Sequence, residues 1–234
     1  MEINHTKQAA RIQTSVLNAA EKKALVWLAN RQPGWVSSDL LTFIGLLGSA
    51  TIGVGYALTA ISPNFLWLAS LGFVINWYGD SLDGTLARVR NTQRPVYGFY
   101  LDHTLDCISE FIMILGLGLS PLMDMRIALL IQIAYLLMTI NVTINTHLKS
   151  EFRLTYAKLG PTEFRLLVII LNTILVLLPS LRDFETTVSL FGNEEVMTFL
   201  DIAGVTVFAI IMIMYTVTVI NDARAYSKAD PKKK

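Results

Sequence analysis

Charge is scarce in this sequence. Asp, Glu, Lys and Arg make up 16% of its 234 residues, against about 25% in a soluble globular domain. Cysteine is nearly absent. Cys107 stands alone, which excludes an internal disulfide and a cysteine-built zinc site, and it reads as a small buried residue on a helix. The net charge of +1 gives no reason to expect a nucleic-acid partner. Lys7, Arg11, Lys22, Lys23 and Arg31 are scattered through the first 34 residues. No uninterrupted apolar stretch follows a basic start there, so no cleavable signal peptide is expected. No internal repeat is visible. Apolar residues, in contrast, are abundant, at 53% of the chain with a mean hydropathy of +0.50. A water-facing surface cannot hold so many, and long apolar runs point to lipid.

Six apolar segments follow one another, approximately Leu40–Ile61, Phe65–Arg88, Gly98–Leu119, Arg126–Leu148, Phe164–Leu181 and Val196–Ile220. Lipid leaves a backbone amide no outside partner, so each segment is expected to be a helix. The expected fold is all-α, a polytopic membrane protein with six transmembrane helices. The fifth segment has a short charge-free core ending near Pro179, which suits a tilted or partly re-entrant helix. Ser37, Ser38 and Asp39 offer N-caps to the first span, and Pro63 and Pro121 fall where turns are expected. Residues 14–31 place Val16, Leu17, Ala20, Ala24, Trp27 and Leu28 near helical spacing. That is the pattern of an amphipathic helix in the membrane interface, with Trp27 and Trp35 at headgroup level; an ordinary helix packed on the bundle is the alternative. The implied division is residues 1–36 as the interfacial segment, 37–221 as the six-helix domain and 222–234 as a basic tail.

Loop charges set the expected orientation. Seventeen of the nineteen Lys and Arg residues fall on one side, and only Arg126 and Arg182 on the other. The positive-inside rule then makes both termini cytoplasmic.

Ionisable residues at membrane depth are costly and usually functional. Asp80 and Asp83 lie in the second segment, Asp102 and Asp106 in the third. Spacings of three and four put each pair on one helix face. The polar link 89–95 makes the two helices antiparallel neighbours with both pairs near the cytoplasmic end. Four such carboxylates repel one another unless protonated or neutralised by hard cations such as Mg²⁺, Mn²⁺ or Ca²⁺. Two ions would suit a diphosphate. Gly79, Gly84 and Gly98 flank the acidic pairs and permit close approach of a helix or a ligand. Arg88 is placed either to neutralise phosphate or to anchor the helix end.

Taken as a pattern, the stretch reads Asp80-x2-Asp83-Gly84-x2-Ala87-Arg88-x9-Gly98-x3-Asp102-x3-Asp106. It resembles the signature of the CDP-alcohol phosphotransferase family, the class I CDP-alcohol phosphatidyltransferases, with all eight specified positions present. The resemblance implies an integral-membrane transferase of phospholipid biosynthesis that moves a phospho-alcohol group from a CDP-alcohol to a hydroxyl acceptor and releases CMP. By position it implies two divalent ions, Mg²⁺ or Mn²⁺ with Ca²⁺ as a structural substitute, held by Asp80, Asp83 and Asp102. Asp106 would be the general base, beside the second ion. Asp83, Gly84, Ala87, Arg88 and Gly98 would contact the nucleotide. Membrane lipids, a homodimer and a bacterial inner membrane with a cytoplasmic active site complete the expectation.

The acceptor side is less defined. Gly160-Pro161-Thr162-Glu163 resembles a sequence of the choline/ethanolamine phosphotransferase branch, as does Leu101-Asp102-His103; it also reads as a turn with a helix start. Lys149, Arg153 and Arg165 would suit a phosphate-bearing acceptor such as inositol phosphate or glycerol phosphate, used with CDP-diacylglycerol, or they anchor the cytoplasmic face. Glu163 and Glu110, one turn beyond Asp106, are further acceptor candidates. His103 lies near the acidic face, and Asp201, Asn141, Asn145 and His147 read as interhelical hydrogen-bonding groups. A cation transporter using the aspartates is the competing class, although no inverted repeat is visible. A non-catalytic scaffold would have no use for the eight motif residues.

Overall fold

The computed structural model describes residues 10–12, 17–149, 151–153, 160–190 and 193–231. Helices dominate: α1 (Asn18–Ala29), α2 (Ser38–Ala57), α3 (Phe65–Val89), α4 (Pro95–Gly118), α5 (Met125–Lys149), α6 (Pro161–Leu177), the short α7 (Pro179–Arg182) and α8 (Phe199–Ala229). Three helical segments among the described residues are long and apolar enough to cross a membrane: Ser38–Ala60, Met125–Thr146 and Phe199–Ala229. The first runs from α2 into a 3-10 turn at Leu58–Ala60. With 25 and 24 residues, α3 and α4 are each about 36 Å long at 1.5 Å per residue. They have the length to span, and their acidic residues lower their hydropathy.

Glycine lets α2 and α3 meet backbone to backbone. A Cβ added at Gly48 would stand 2.3 Å from the Asn76 amide nitrogen, and one at Gly79 would stand 2.2 Å from that of Gly45. No side chain fits at either place. The same seam carries polar groups inward: the Asn76 Nδ2 donates to the Gly45 carbonyl at 3.1 Å and to Ser49 Oγ at 3.0 Å. Further along, Asn172 of α6 accepts from the Tyr56 hydroxyl at 3.1 Å and donates to Ser70 at 3.2 Å. One apolar cluster gathers Ile52, Leu66, Phe73, Ala128, Leu175 and Leu200 from five helices. A second joins Leu25 and Ala29 of α1 to Val36, Leu41, Leu82 and Leu86.

The reversal between α3 and α4 needs few residues. Asn91 takes φ 55°, a left-handed conformation that Asn tolerates better than most residues. The Thr92 amide closes back on the Ala87 carbonyl at 3.0 Å. Pro95 then opens α4 at a position where no amide hydrogen is needed. Arg90 ties this turn to the loop before α2, donating to the carbonyls of Gln32 at 2.8 Å and Pro33 at 2.9 Å.

Four sequence expectations change. The chain is not purely helical: β3 (Glu185–Leu190) and β4 (Asn193–Thr198) form an antiparallel hairpin, and β1 (Ala10–Ile12) pairs in parallel with β2 (Glu151–Arg153). By hydropathy, residues 196–198 belong with the last span. In the structure Thr198 is the N-cap of α8, accepting from the Asp201 amide at 3.1 Å while Asp201 accepts from the Thr198 amide at 2.8 Å. The fifth helix stops at Leu177, because Leu178 is turned to ψ 83° before Pro179. At the other end, α8 continues through residue 229, so the expected tail 222–234 is helical over most of its length. Residue 7, residues 14–16, Lys158 and residues 232–234 lie outside the described residues, as do the side chains of His147, Lys149 and Arg153.

At the end of the bundle away from the α3–α4 turn, the hairpin is locked by charge. Arg126 donates to Asp124 Oδ1 at 2.9 Å and to Glu195 Oε2 at 3.0 Å. Asp201 accepts from the Asp124 amide at 2.7 Å, and the Thr198 hydroxyl donates to the Leu122 carbonyl at 2.7 Å. Hydrogen bonds from the Arg126 guanidinium hold the Asp124 and Glu195 carboxyls below their usual range. A carboxyl lowered in the folded state stabilises above its unfolded value, and that contribution is lost as pH falls through the lowered one.

Three outcomes follow from these contacts. Gly48→Ala should force α2 from α3 and destabilise the protein by about 1–3 kcal/mol or more, read as a drop in thermal unfolding temperature. Gly98→Ala, with nothing within 4 Å of an added Cβ, should leave that temperature unchanged. Arg126→Gln should speed amide exchange in the β3–β4 hairpin at neutral pH. Its difference from the parent at matched pH should shrink in acid, once Asp124 and Glu195 are protonated in both proteins.

Candidate active site

Helix α3 delivers Asp80 and Asp83, and α4 delivers Asp102 and Asp106, at the α3–α4 turn end of the bundle. Oxygens of Asp80, Asp102 and Asp106 all lie within 4.8 Å of one another. Asp80 is half-buried, whereas Asp102 and Asp106 are exposed. An all-carboxylate group this close suits a hard divalent cation, so the donor set fits the metal expected from the sequence. Asp83 stands outside that trio. One oxygen accepts from the Thr42 hydroxyl of α2 at 2.7 Å and the other from the Gly84 amide. Ser38 donates to the Asp83 carbonyl at 2.5 Å, further binding this turn of α3 to the start of α2.

The carboxylates open on a cavity of about 630 Å³. Its wall also includes Gly84, Ala87, Arg88 and Gly98, four residues expected at a nucleotide. Gly84 and Gly98 differ in kind from Gly79. An added Cβ at Gly98 would meet nothing within 4 Å, and at Gly84 only Arg88 Nη1 at 3.5 Å. Protein packing therefore does not require glycine at these two places; they leave bare backbone on the cavity wall. Arg88 donates to the Thr85 hydroxyl at 2.9 Å.

The acceptor candidates separate. Arg165 reaches the cavity from α6, pairing with Asp80 Oδ2 at 2.5 Å and donating through Nε to Asn76 Oδ1 at 2.9 Å. Its side chain is 15% exposed. Glu163 does not line the cavity. Its Oε1 accepts from the Leu17 amide at 2.7 Å and its Oε2 from the Gly160 amide at 3.0 Å, so it caps α6 and ties down the start of α1. Glu110 also lies off the cavity wall, near Tyr135 of α5, and its Oε2 is buried without a hydrogen-bond partner among the described residues. His103 stacks on Phe99, with ring centroids 4.0 Å apart, and its Nδ1 lies 3.0 Å from the Phe99 carbonyl oxygen. Asn145 links helices as expected, donating to Asp222 at 2.8 Å and accepting from the Tyr226 hydroxyl.

Several contributors carried no signal strong enough to single out. Thr42 of α2 donates to Asp83, and Asn76, one turn before Asp80 on α3, accepts from Arg165. Asn76, four residues before Asp80, could have been found by extending the acidic face back one turn. Helix α1 supplies Asn18, Glu21 and Lys22 to the cavity. Nothing in its spacing indicates that it stands against the aspartates, since only the tertiary fold brings it there.

Comparison with known proteins agrees with the signature. Over 80 residues the chain is 35% identical to archaetidylinositol phosphate synthase of Methanothermobacter thermautotrophicus, covering 34% of this chain and 38% of that protein. It is 32% identical over 107 residues to cholinephosphotransferase 1 of Gallus gallus, covering 41% and 32% of the two chains. For the Xenopus laevis protein of the same name the figures are 33% over 96 residues, 38% and 24%. The matches thus span about a third of the length of these curated relatives. The sequence profile of the CDP-alcohol phosphatidyltransferase family matches residues 35–220, which takes in α2 through most of α8 with all four aspartates. The chain belongs to the CDP-alcohol phosphatidyltransferase family.

Proposed function

We propose that this protein transfers a phospho-alcohol group from a CDP-alcohol to a hydroxyl acceptor, with release of CMP, in phospholipid synthesis. The observation that carries this reading is the convergence of Asp80, Asp102 and Asp106 on a cavity walled by bare backbone at Gly84 and Gly98. Charge supports it. Six carboxylates line the cavity (Glu21, Asp39 and the four motif aspartates) against four cations, Lys22, Arg88, Arg94 and Arg165. Two divalent ions would reverse that deficit to a net positive charge suited to a diphosphate.

In this reading Asp80, Asp83, Asp102 and Asp106 hold Mg²⁺ or Mn²⁺, with Thr42 and the Gly84 amide orienting Asp83. Bound metal would offset charge on the diphosphate and on departing CMP. Gly84 and Gly98 offer bare backbone and Ala87 only a methyl group to the flat nucleotide face, and Arg88 faces its phosphates. Asp106 takes the proton of the acceptor hydroxyl. The acceptor oxygen forms a bond to the phosphorus bearing the alcohol, and the bond from that phosphorus to CMP breaks. We read the chain as six-spanning, with α1 at the interface, both termini and the cavity cytoplasmic, in a bacterial inner membrane and as a homodimer among lipids.

A second reading has its own support. Arg165 is a cation on the cavity wall beside Asp80, where an acceptor bearing phosphate would gain a partner. The reaction would then join CDP-diacylglycerol to a phosphorylated polyol such as inositol phosphate or glycerol phosphate.

Purified protein incubated with Mg²⁺ or Mn²⁺ and paired donors and acceptors should release CMP, and chelation should stop this reversibly. Asp106→Asn should lower the rate by about 10²–10⁴-fold while donor binding by calorimetry persists; full turnover by that variant would remove Asp106 as the base. Arg165→Ala separates the two readings. Its KM should rise for a phosphate-bearing acceptor and stay unchanged for diacylglycerol.

A further inference from the structure

Two polar bridges join α3 to α6 beside the cavity, and they answer differently to a metal ion. One is the direct pair of Asp80 with Arg165, supported by Arg165 Nε donating to Asn76. The other passes through α1. Glu21 Oε1 accepts from the Trp77 indole of α3 at 3.0 Å and from the Thr162 hydroxyl of α6. Trp77 lies three residues before Asp80, and Thr162 three before Arg165, so each bridge sits within a turn of the other on both helices. The start of α1 is tied to the same place, because Glu163 accepts from the Leu17 amide.

The direct bridge uses a carboxylate that the proposed function assigns to metal. A divalent ion on Asp80 competes with the Arg165 guanidinium for the same oxygens, which weakens the pair that seats α6. The indirect bridge is built from neutral donors on a carboxylate of another helix. It is untouched by that competition. We propose that Glu21 is a positioning residue: it keeps α6 seated on α3 when metal takes Asp80, so that Arg165 stays at the cavity wall for an anionic substrate group. This rests on the metal reading above, and it assigns to α1 a part in the site that its sequence pattern does not suggest.

The test measures helix separation rather than turnover. Spin labels on cysteines replacing Val74 of α3 and Leu167 of α6, which are 50% and 53% exposed, would be placed in a Cys107→Ser background of the full chain. Double electron–electron resonance then reads their distance distribution with and without Mg²⁺, and calorimetry measures Mg²⁺ binding separately. The parent should stay narrow in both conditions. Glu21→Ala should stay narrow without Mg²⁺ and broaden to more than about twice the parent width once Mg²⁺ is bound. Glu21→Gln should behave as the parent, because its amide oxygen accepts the same two bonds. Thr162→Val removes one donor and should give a smaller metal-dependent spread. If Glu21→Ala binds Mg²⁺ and stays narrow, or is already broad without it, the positioning role falls while the metal reading survives. If the parent binds no Mg²⁺, both fall.

Discussion

Most of this structure depends on how closely α2 and α3 approach. Glycines at 45, 48 and 79 remove the side chains that would hold the helices apart, so backbone packs on backbone. In lipid, where apolar side chains gain little by leaving their surroundings, such close contact is a main source of helix association. The seam also fixes the rotation of α3. With Gly79 against Gly45 and Asn76 bonded to Gly45 and Ser49, Asp80 and Asp83 are held at the margin of the contact. From there Asp83 meets Thr42, and Asp80 faces α4 and α6.

The second constraint is electrostatic. Carboxylates gathered at one end of a helical bundle need positive charge, and the protein supplies part of it through Arg165 on Asp80. Lys22, Arg88 and Arg94 stand further along the same wall. The count still favours the acids, which is the condition for a site that takes cations and then an anionic substrate. Residues near the site divide accordingly. Arg165 remains with the cavity, whereas both oxygens of Glu163 are taken by backbone amides and serve the framework.

Legibility in the sequence followed the strength of the local signal. The aspartates were plain because charge inside apolar helices is rare, and spacings of three and four define a face without tertiary information. The α3–α4 turn was legible from its polar run. The β3–β4 hairpin was not: most of it falls in the polar link between the fifth and sixth apolar segments, where strand pairing has no hydropathy signal, and only residues 196–198 merge with the apolar run that follows. The sequence leaves Glu163 between a helix start and an acceptor contact, because it cannot say whether a carboxylate's oxygens are already taken by amides, one of them far along the chain. The reading of Gly79, Gly84 and Gly98 as one group also needed the fold to divide it.

By itself, then, the sequence determined a helical membrane chain, the faces on which four carboxylates sit and the family signature they form. Those follow from hydrophobic length and helical period, which are local. The tertiary structure decided which three carboxylates converge, which glycines pack and which lie open to a ligand, and that α1 stands against the cavity. Each depends on contacts between residues up to about 140 positions apart, such as Glu21 with Thr162, and no local period encodes where such partners meet.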